Sequence, residues 1–109
     1  MPSKNKARGN QLEREIVKMA QEQGLEAQRA WGSDGRSMGL DEAVDCVVEG
    51  YEIQAKRRKK IADFLKIPDC CQMVVFREDG RKNHRVLMEL DLLFGLLSRI
   101  KRAIREEKK

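Results

Sequence analysis

At 109 residues the chain is long enough for one hydrophobic core and too short for two, and its 40% hydrophobic content with only 5% aromatic residues points to an aliphatic core. A 38% charged content with a formal net charge of +5 suits either a polyanionic partner, most simply nucleic acid, or a generously charged surface. No apolar run approaches the roughly 20 residues of a membrane span, and the basic start M-P-S-K-N-K-A-R leads into no apolar segment, so no membrane association is expected.

Residues 1–9, with Lys4, Lys6 and Arg8, read as a flexible basic arm. A first helix is predicted over 10–23, with Asn10 as cap and Glu13 three residues later in a capping-box pairing. Leu12, Ile16, Met19 and Ala20 form its apolar stripe, and Gly24 stops it. A strand is expected over 25–31, with Trp31 as a packing residue at its end; base stacking is the lesser alternative for that side chain. Residues 32–41, rich in glycine, serine and aspartate, form a loop that carries Ser33 and Arg36. Over 44–56 two alternating strands flank a tight turn at Glu49-Gly50. Gln54 and Lys56 share a strand face, and closing the hairpin brings Asp45 near both. Four cations, Arg57, Arg58, Lys59 and Lys60, follow at once.

A short helix is predicted over 60–67, with Ile61, Phe64 and Leu65 on one face and Pro68-Asp69 ending it. Residues 71–76 read as a central, doubly buried strand. Glu78-Asp79-Gly80 turns the chain, and 84–90 returns with His84 as an exposed polar residue. Asp91 can cap a last helix carrying Leu92, Leu93, Leu96, Leu97 and Ile100, whose charged end, 101–109, is expected to fray. The order is α-β-β-β-α-β-β-α: an α/β fold with a central mixed β-sheet flanked by helices, one domain over 10–104 and a charged tail over 105–109. The odd number and adjacent placement of Cys46, Cys70 and Cys71 argue against disulfides or a zinc site and for a reducing, intracellular compartment. Cys46 reads as a small core residue.

The hairpin carries the pattern D…(D/E/Q)-x-K as Asp45, Gln54 and Lys56, which resembles the core of the PD-(D/E)xK nuclease superfamily with Gln54 where Glu is commonest. The resemblance implies a restriction-endonuclease-like sheet and a Mg2+ site, with Mn2+ substituting. Asp45, Gln54 and the Ala55 carbonyl would be the oxygen ligands, and Lys56 would orient or deprotonate the attacking water or offset phosphate charge. Without it, the same residues read as a solvated hairpin face followed by a basic loop. Arg8-Gly9, Glu13-Arg14-Glu15, Gly24, Arg29, Gly32-Ser33, Val44-Asp45 and Gln54-Ala55-Lys56, in that order, resemble the archaeal-type Holliday junction resolvases and their phage relatives.

That resemblance implies further roles. Glu13 is the first-helix acid that reaches the metal directly or through water, Arg14 and Arg29 bind phosphate, and Ser33 lies near the scissile phosphate. Arg8, Arg36, Arg57, Arg58, Lys59 and Lys60 complete the DNA-binding set. The plainer readings are a capping acid for Glu13, surface charges for Arg14 and Arg29, and loop filler for Ser33. The expected function is a homodimeric, Mg2+-dependent endonuclease in a phage, archaeal or bacterial host. It would resolve four-way DNA junctions and leave 5′-phosphate and 3′-hydroxyl ends. The alternatives are an Mrr-like or nicking nuclease of the same fold, since Gln-x-Lys also occurs in the Mrr-like branch, or a non-cleaving DNA-binding module.

Overall fold

The computed structural model describes the backbone of residues 4–108 and the side chains of residues 10–32 and 34–108. Helix α1 spans Lys4–Glu22. It starts six residues before the predicted boundary, because lysine, alanine and arginine at its start favour helix and Gly9 alone is too weak a breaker to stop it. Asn10 therefore lies inside the helix rather than capping it. Residues 4–9 of the expected basic arm are helical, and residues 1–3 lie outside the described residues.

Glu13, Ile16 and Ala20 share one buried stripe of α1 at helical spacing. Gly24, at φ 76°, ends the helix in a Schellman motif: Leu25 N–H donates to the Ala20 carbonyl at 2.9 Å and Gly24 N–H to that of Gln21 at 3.0 Å. Leu25 and Ala20 are both buried, the apolar contact that accompanies this cap.

Strands β1 (Ala27–Arg29), β2 (Cys46–Val48) and β3 (Tyr51–Ile53) form an antiparallel sheet in the order β1-β2-β3. Between β1 and β2 the chain makes two 3-10 turns, Trp31–Ser33 and Gly35–Met38. Gly35 packs so closely on the returning chain that a Cβ there would collide with the Asp41 carbonyl oxygen. The β2–β3 turn is Glu49-Gly50 as predicted, with φ 48° and 81°, the two positive values of a type I′ hairpin.

The predicted helix over 60–67 is reduced to one 3-10 turn, Asp63–Leu65. Three apolar residues suffice to cover a single turn, and Pro68 forbids extending it. A crossover to a parallel strand needs a dozen or more residues, usually helical, and this segment has no such helix. Accordingly β4 (Met73–Phe76) pairs only with β5 (Arg85–Met88), as a separate antiparallel hairpin with Met73 opposite Met88 and Phe76 opposite Arg85. The single mixed, restriction-endonuclease-like sheet is not formed among the described residues, and β4 is not doubly buried: Val75 is 64% exposed. Phe64 meets Phe76 edge to face with ring centroids 6.3 Å apart, which ties the 3-10 turn to the hairpin.

Helix α2 spans Leu90–Glu107, starting one residue before the predicted Asp91 cap and staying helical into the stretch expected to fray. Its Phe94 is buried with Ile16, Ala20, Leu25, Cys46 and Val48 in the hydrophobic core. Each large apolar side chain buried there is worth roughly 1.5–3 kcal/mol. Ser98 Oγ donates to the Gln23 carbonyl at 2.7 Å, and Lys101 Nζ to that of Gly24 at 3.2 Å, so α2 satisfies carbonyls at the α1 stop. Among the described residues no helix is long and apolar enough to cross a membrane.

Candidate active site

The site is built where α1, β1 and the β2–β3 hairpin meet. Asp45 directly precedes β2 and is held on both sides by backbone bonds. Its N–H donates to the Ile53 carbonyl at 2.8 Å, and its carbonyl accepts from Ala30 N–H at 2.8 Å. Asp45 Oδ2 accepts from the Ala55 N–H at 2.6 Å. The acid is therefore joined to the middle of the Gln54-Ala55-Lys56 tripeptide, as closing the hairpin requires. Strand β3 ends at Ile53, so the tripeptide continues it as irregular backbone with Gln54 and Lys56 exposed and Ala55 half-buried.

Glu13 is 3% exposed, and its Oε2 accepts from Arg29 Nη2 at 3.3 Å. It lies inside α1, so it is no capping-box acid. Arg29 projects from β1 onto the sheet face that carries its pairing partner Cys46. Burial pushes the Cys46 thiol up to about 11; the negative charges of Glu13 and Asp45 add to burial, and Arg29 opposes them. The measured contacts are two separate ones, the Glu13–Arg29 pair between α1 and β1 and the Asp45–Ala55 bond inside the hairpin. Arg29 Nε is buried with no hydrogen-bond partner among the described residues.

The cations divide into two groups. Arg57 Nη1 donates to Gln11 Oε1 at 2.8 Å and so anchors the basic run on α1, while Arg58, Lys59 and Lys60 are exposed beyond it. Arg14 is exposed on α1. Arg36 is not aimed at the acids: its Nε lies 2.9 Å from Asp34 Oδ2, and Nη1 approaches Glu42 at 3.9 Å. Hydrogen bonds from the Arg36 side chain and then from its backbone N–H hold the Asp34 carboxyl below its usual range. Ser33 closes the 3-10 turn Trp31–Ser33, and Arg8 lies in α1; neither side chain is among those described. Trp31, expected to pack, is 86% exposed, because the buried apolar position at the end of β1 is taken by Ala30.

Two features escape a reading of the sequence. At the tip of the β4–β5 hairpin, Arg77, Arg81, Lys82 and Arg85 line a concavity of about 420 Å³. These cations are scattered around an acidic turn and form no run that stands out in the chain. Glu49, in the I′ turn, accepts from Glu26 N–H and from Lys101 Nζ, the latter at 2.9 Å. Its partner is 52 residues away, so only the fold reveals the pairing.

The residues nominated from the sequence carry oxygen donors, carboxylates on Asp45 and Glu13 and an amide oxygen on Gln54. Such an all-oxygen set suits a hard divalent cation. Glutamine removes one carboxylate, and no group of three His, Cys, Asp or Glu capable of holding a metal occurs among the described residues. No curated protein and no solved structure matches the chain. The model of the archaeal Holliday junction resolvase (Hjc) family matches residues 4–93, which takes in α1, both hairpins and every residue of the centre. The chain therefore belongs to the archaeal Holliday junction resolvase family and is, in general terms, a junction-resolving endonuclease.

Proposed function

We propose that the chain is a homodimeric, Mg2+-dependent member of the PD-(D/E)xK nucleases that cuts four-way DNA junctions with a Gln-x-Lys variant of the motif. The observation that carries this reading is the 2.6 Å bond from the Ala55 N–H to Asp45 Oδ2, which puts the acid against the Gln54–Lys56 segment. Asp45 spends Oδ2 on that bond and keeps Oδ1 for a cation. Gln54, the Ala55 carbonyl and Glu13 would supply the other protein oxygens.

A bound divalent cation lowers the pKa of its water and offsets charge on the phosphate. Lys56 holds the attacking water or the phosphate oxygens as the P–O3′ bond breaks in line, leaving a 3′-hydroxyl and a 5′-phosphate. Arg29, drawn to Glu13 with its side chain 31% exposed, orients the helix acid and would meet a phosphate through the open part of its guanidinium. Arg14, Arg58, Lys59 and Lys60 hold the flanking backbone, with Arg8 and Ser33 assigned to the same substrate by the family pattern.

Two cuts in a branched substrate with two-fold symmetry call for two sites related by a two-fold axis. Exposed Leu93, Ile100 and Ile104 on α2 support a self-associating face. We assign the protein to a reducing intracellular compartment, which fits its three free cysteines.

The test is cleavage of a synthetic four-way junction and of its linear duplex arms, with Mg2+, Mn2+ or chelator. Asp45→Ala should lower junction cleavage at least 100-fold while leaving junction affinity within a few-fold. Wild-type turnover in that variant would remove Asp45 from the centre. Gln54 and the Glu13–Arg29 pair favour a second reading, a DNA-binding module that has lost cleavage; failure to cut with either metal despite tight junction binding would select it.

A further inference from the structure

The largest aromatic side chain of the molecule is also among its most exposed. Trp31 is 86% open to solvent, although a single step back along the chain Ala30 is buried. Isolated exposed apolar residues are ordinary, so exposure alone decides nothing; the way this residue is held does.

Its backbone is fixed at several points. Trp31 N–H donates to Ser37 Oγ at 3.0 Å, and its carbonyl accepts from Asp34 N–H at 3.3 Å. Gly32 takes the left-handed conformation that lets the 3-10 turn close. Behind it, Gly35 is wedged against Asp41 and Val44, and Ala30 N–H is bonded to the carbonyl of Asp45. The indole therefore stands on a braced loop, two residues from Arg29 and one from the residue that is bonded to the catalytic strand. The nearby cation offers little to a phosphate, because Arg36 is neutralised by Asp34 and Glu42. What this loop presents, two residues after Arg29, is an exposed flat apolar ring whose charged neighbours Asp34, Arg36 and Glu42 are paired with one another.

We propose that Trp31 is a nucleobase-stacking site that holds an unstacked base of the junction next to the scissile phosphate and so favours branched over linear DNA. Stacking a base on an aromatic ring strengthens binding roughly 5- to 100-fold. Unstacking a base from an intact duplex costs about as much, and costs least where stacking is already interrupted. On linear duplex the two effects cancel; at a branch point the gain survives. This inference rests on the junction-resolving activity and names a positioning residue for it.

The chain has a single tryptophan, so its own emission reports on this residue alone. The experiment titrates full-length protein, in chelator to prevent cutting, with a four-way junction and with a linear duplex of the same arm sequence. Expected are strong quenching by the junction and little by duplex. Trp31→Ala should weaken junction binding about 10-fold, and Trp31→Phe should restore most of it. Both variants should keep the wild-type melting temperature and duplex affinity. Equal quenching by both DNAs, no quenching, or full junction affinity in Trp31→Ala overturns the proposal. An emission shift that follows protein concentration without DNA also overturns it, by assigning the ring to a second copy of the chain. A wild type that binds and cuts junctions with unquenched emission defeats only this inference, whereas one that neither binds nor cuts them defeats the function on which it rests.

Discussion

Gln54 is the residue on which the proposed chemistry turns. An amide oxygen coordinates a hard cation but brings no charge, and Glu13, the other acid, is already drawn to Arg29 at 3.3 Å. Gln54→Glu should therefore raise cleavage at low Mg2+, with the half-saturating metal concentration falling several-fold and the plateau rate little changed. Metal titration of junction cleavage checks this; a folded but inactive Gln54→Glu variant would show that the amide donates a hydrogen bond the carboxylate cannot. At this scale the closure of Asp45 onto the Gln54–Lys56 segment was legible, because the two lie on adjoining arms of one hairpin. Trp31 was not legible: whether an aromatic residue at a strand end turns inward depends on which neighbour fills the core, and Ala30 fills it here.

At the scale of elements, the hairpin turn and α2 hold each other through Glu49 and Lys101. The hydrogen bond from Lys101, with that from the Glu26 N–H, holds the Glu49 carboxyl below its ordinary value of 4.5. A carboxylate whose folded-state pKa is depressed contributes stability above its unfolded pKa and loses it as pH falls through the lower folded value. Glu49→Gln should thus lower the melting temperature at pH 7 by roughly 2–6 °C. The gap from wild type should close as pH drops below about 4.5; a gap independent of pH would mean the amide merely fits the turn badly. The turn at Glu49-Gly50 and the stop at Gly24 could be read from sequence because local backbone geometry demands them. The helix expected over 60–67 could not be told from a single 3-10 turn, since Ile61, Phe64 and Leu65 satisfy either with the same spacing. The early start of α1 was hidden by Gly9 and Asn10, which look like an entrance and are instead interior.

At the scale of the whole molecule, two clusters of cations are candidates for the DNA surface, the run after Lys56 and the tip of the β4–β5 hairpin. Each phosphate contact should contribute about −0.9 to the slope of log affinity against log salt. Because Arg57 also anchors the run to Gln11, the cleaner variant is Arg58→Ala with Lys59→Ala, which should make the slope on duplex DNA shallower by roughly two. Arg81→Ala with Lys82→Ala tests the hairpin tip in the same way, and an unchanged slope removes the substituted pair from the DNA surface. The radius of gyration, 15.9 Å, exceeds the ~13 Å of a compact chain of this length, in keeping with a hairpin that pairs with no other strand. Two strands alone are marginally stable in water. The molecule should therefore open in two steps, the hairpin fraying long before the core gives way. In hydrogen exchange, amides of Met73–Phe76 and Arg85–Met88 should be replaced by deuterium at least tenfold faster than those of Cys46–Val48. Matching protection in both sets would mean that the strands fold as one cooperative unit. Slow exchange that appears in the hairpin only when junction DNA is added would identify it as the part of the enzyme whose folding the substrate completes.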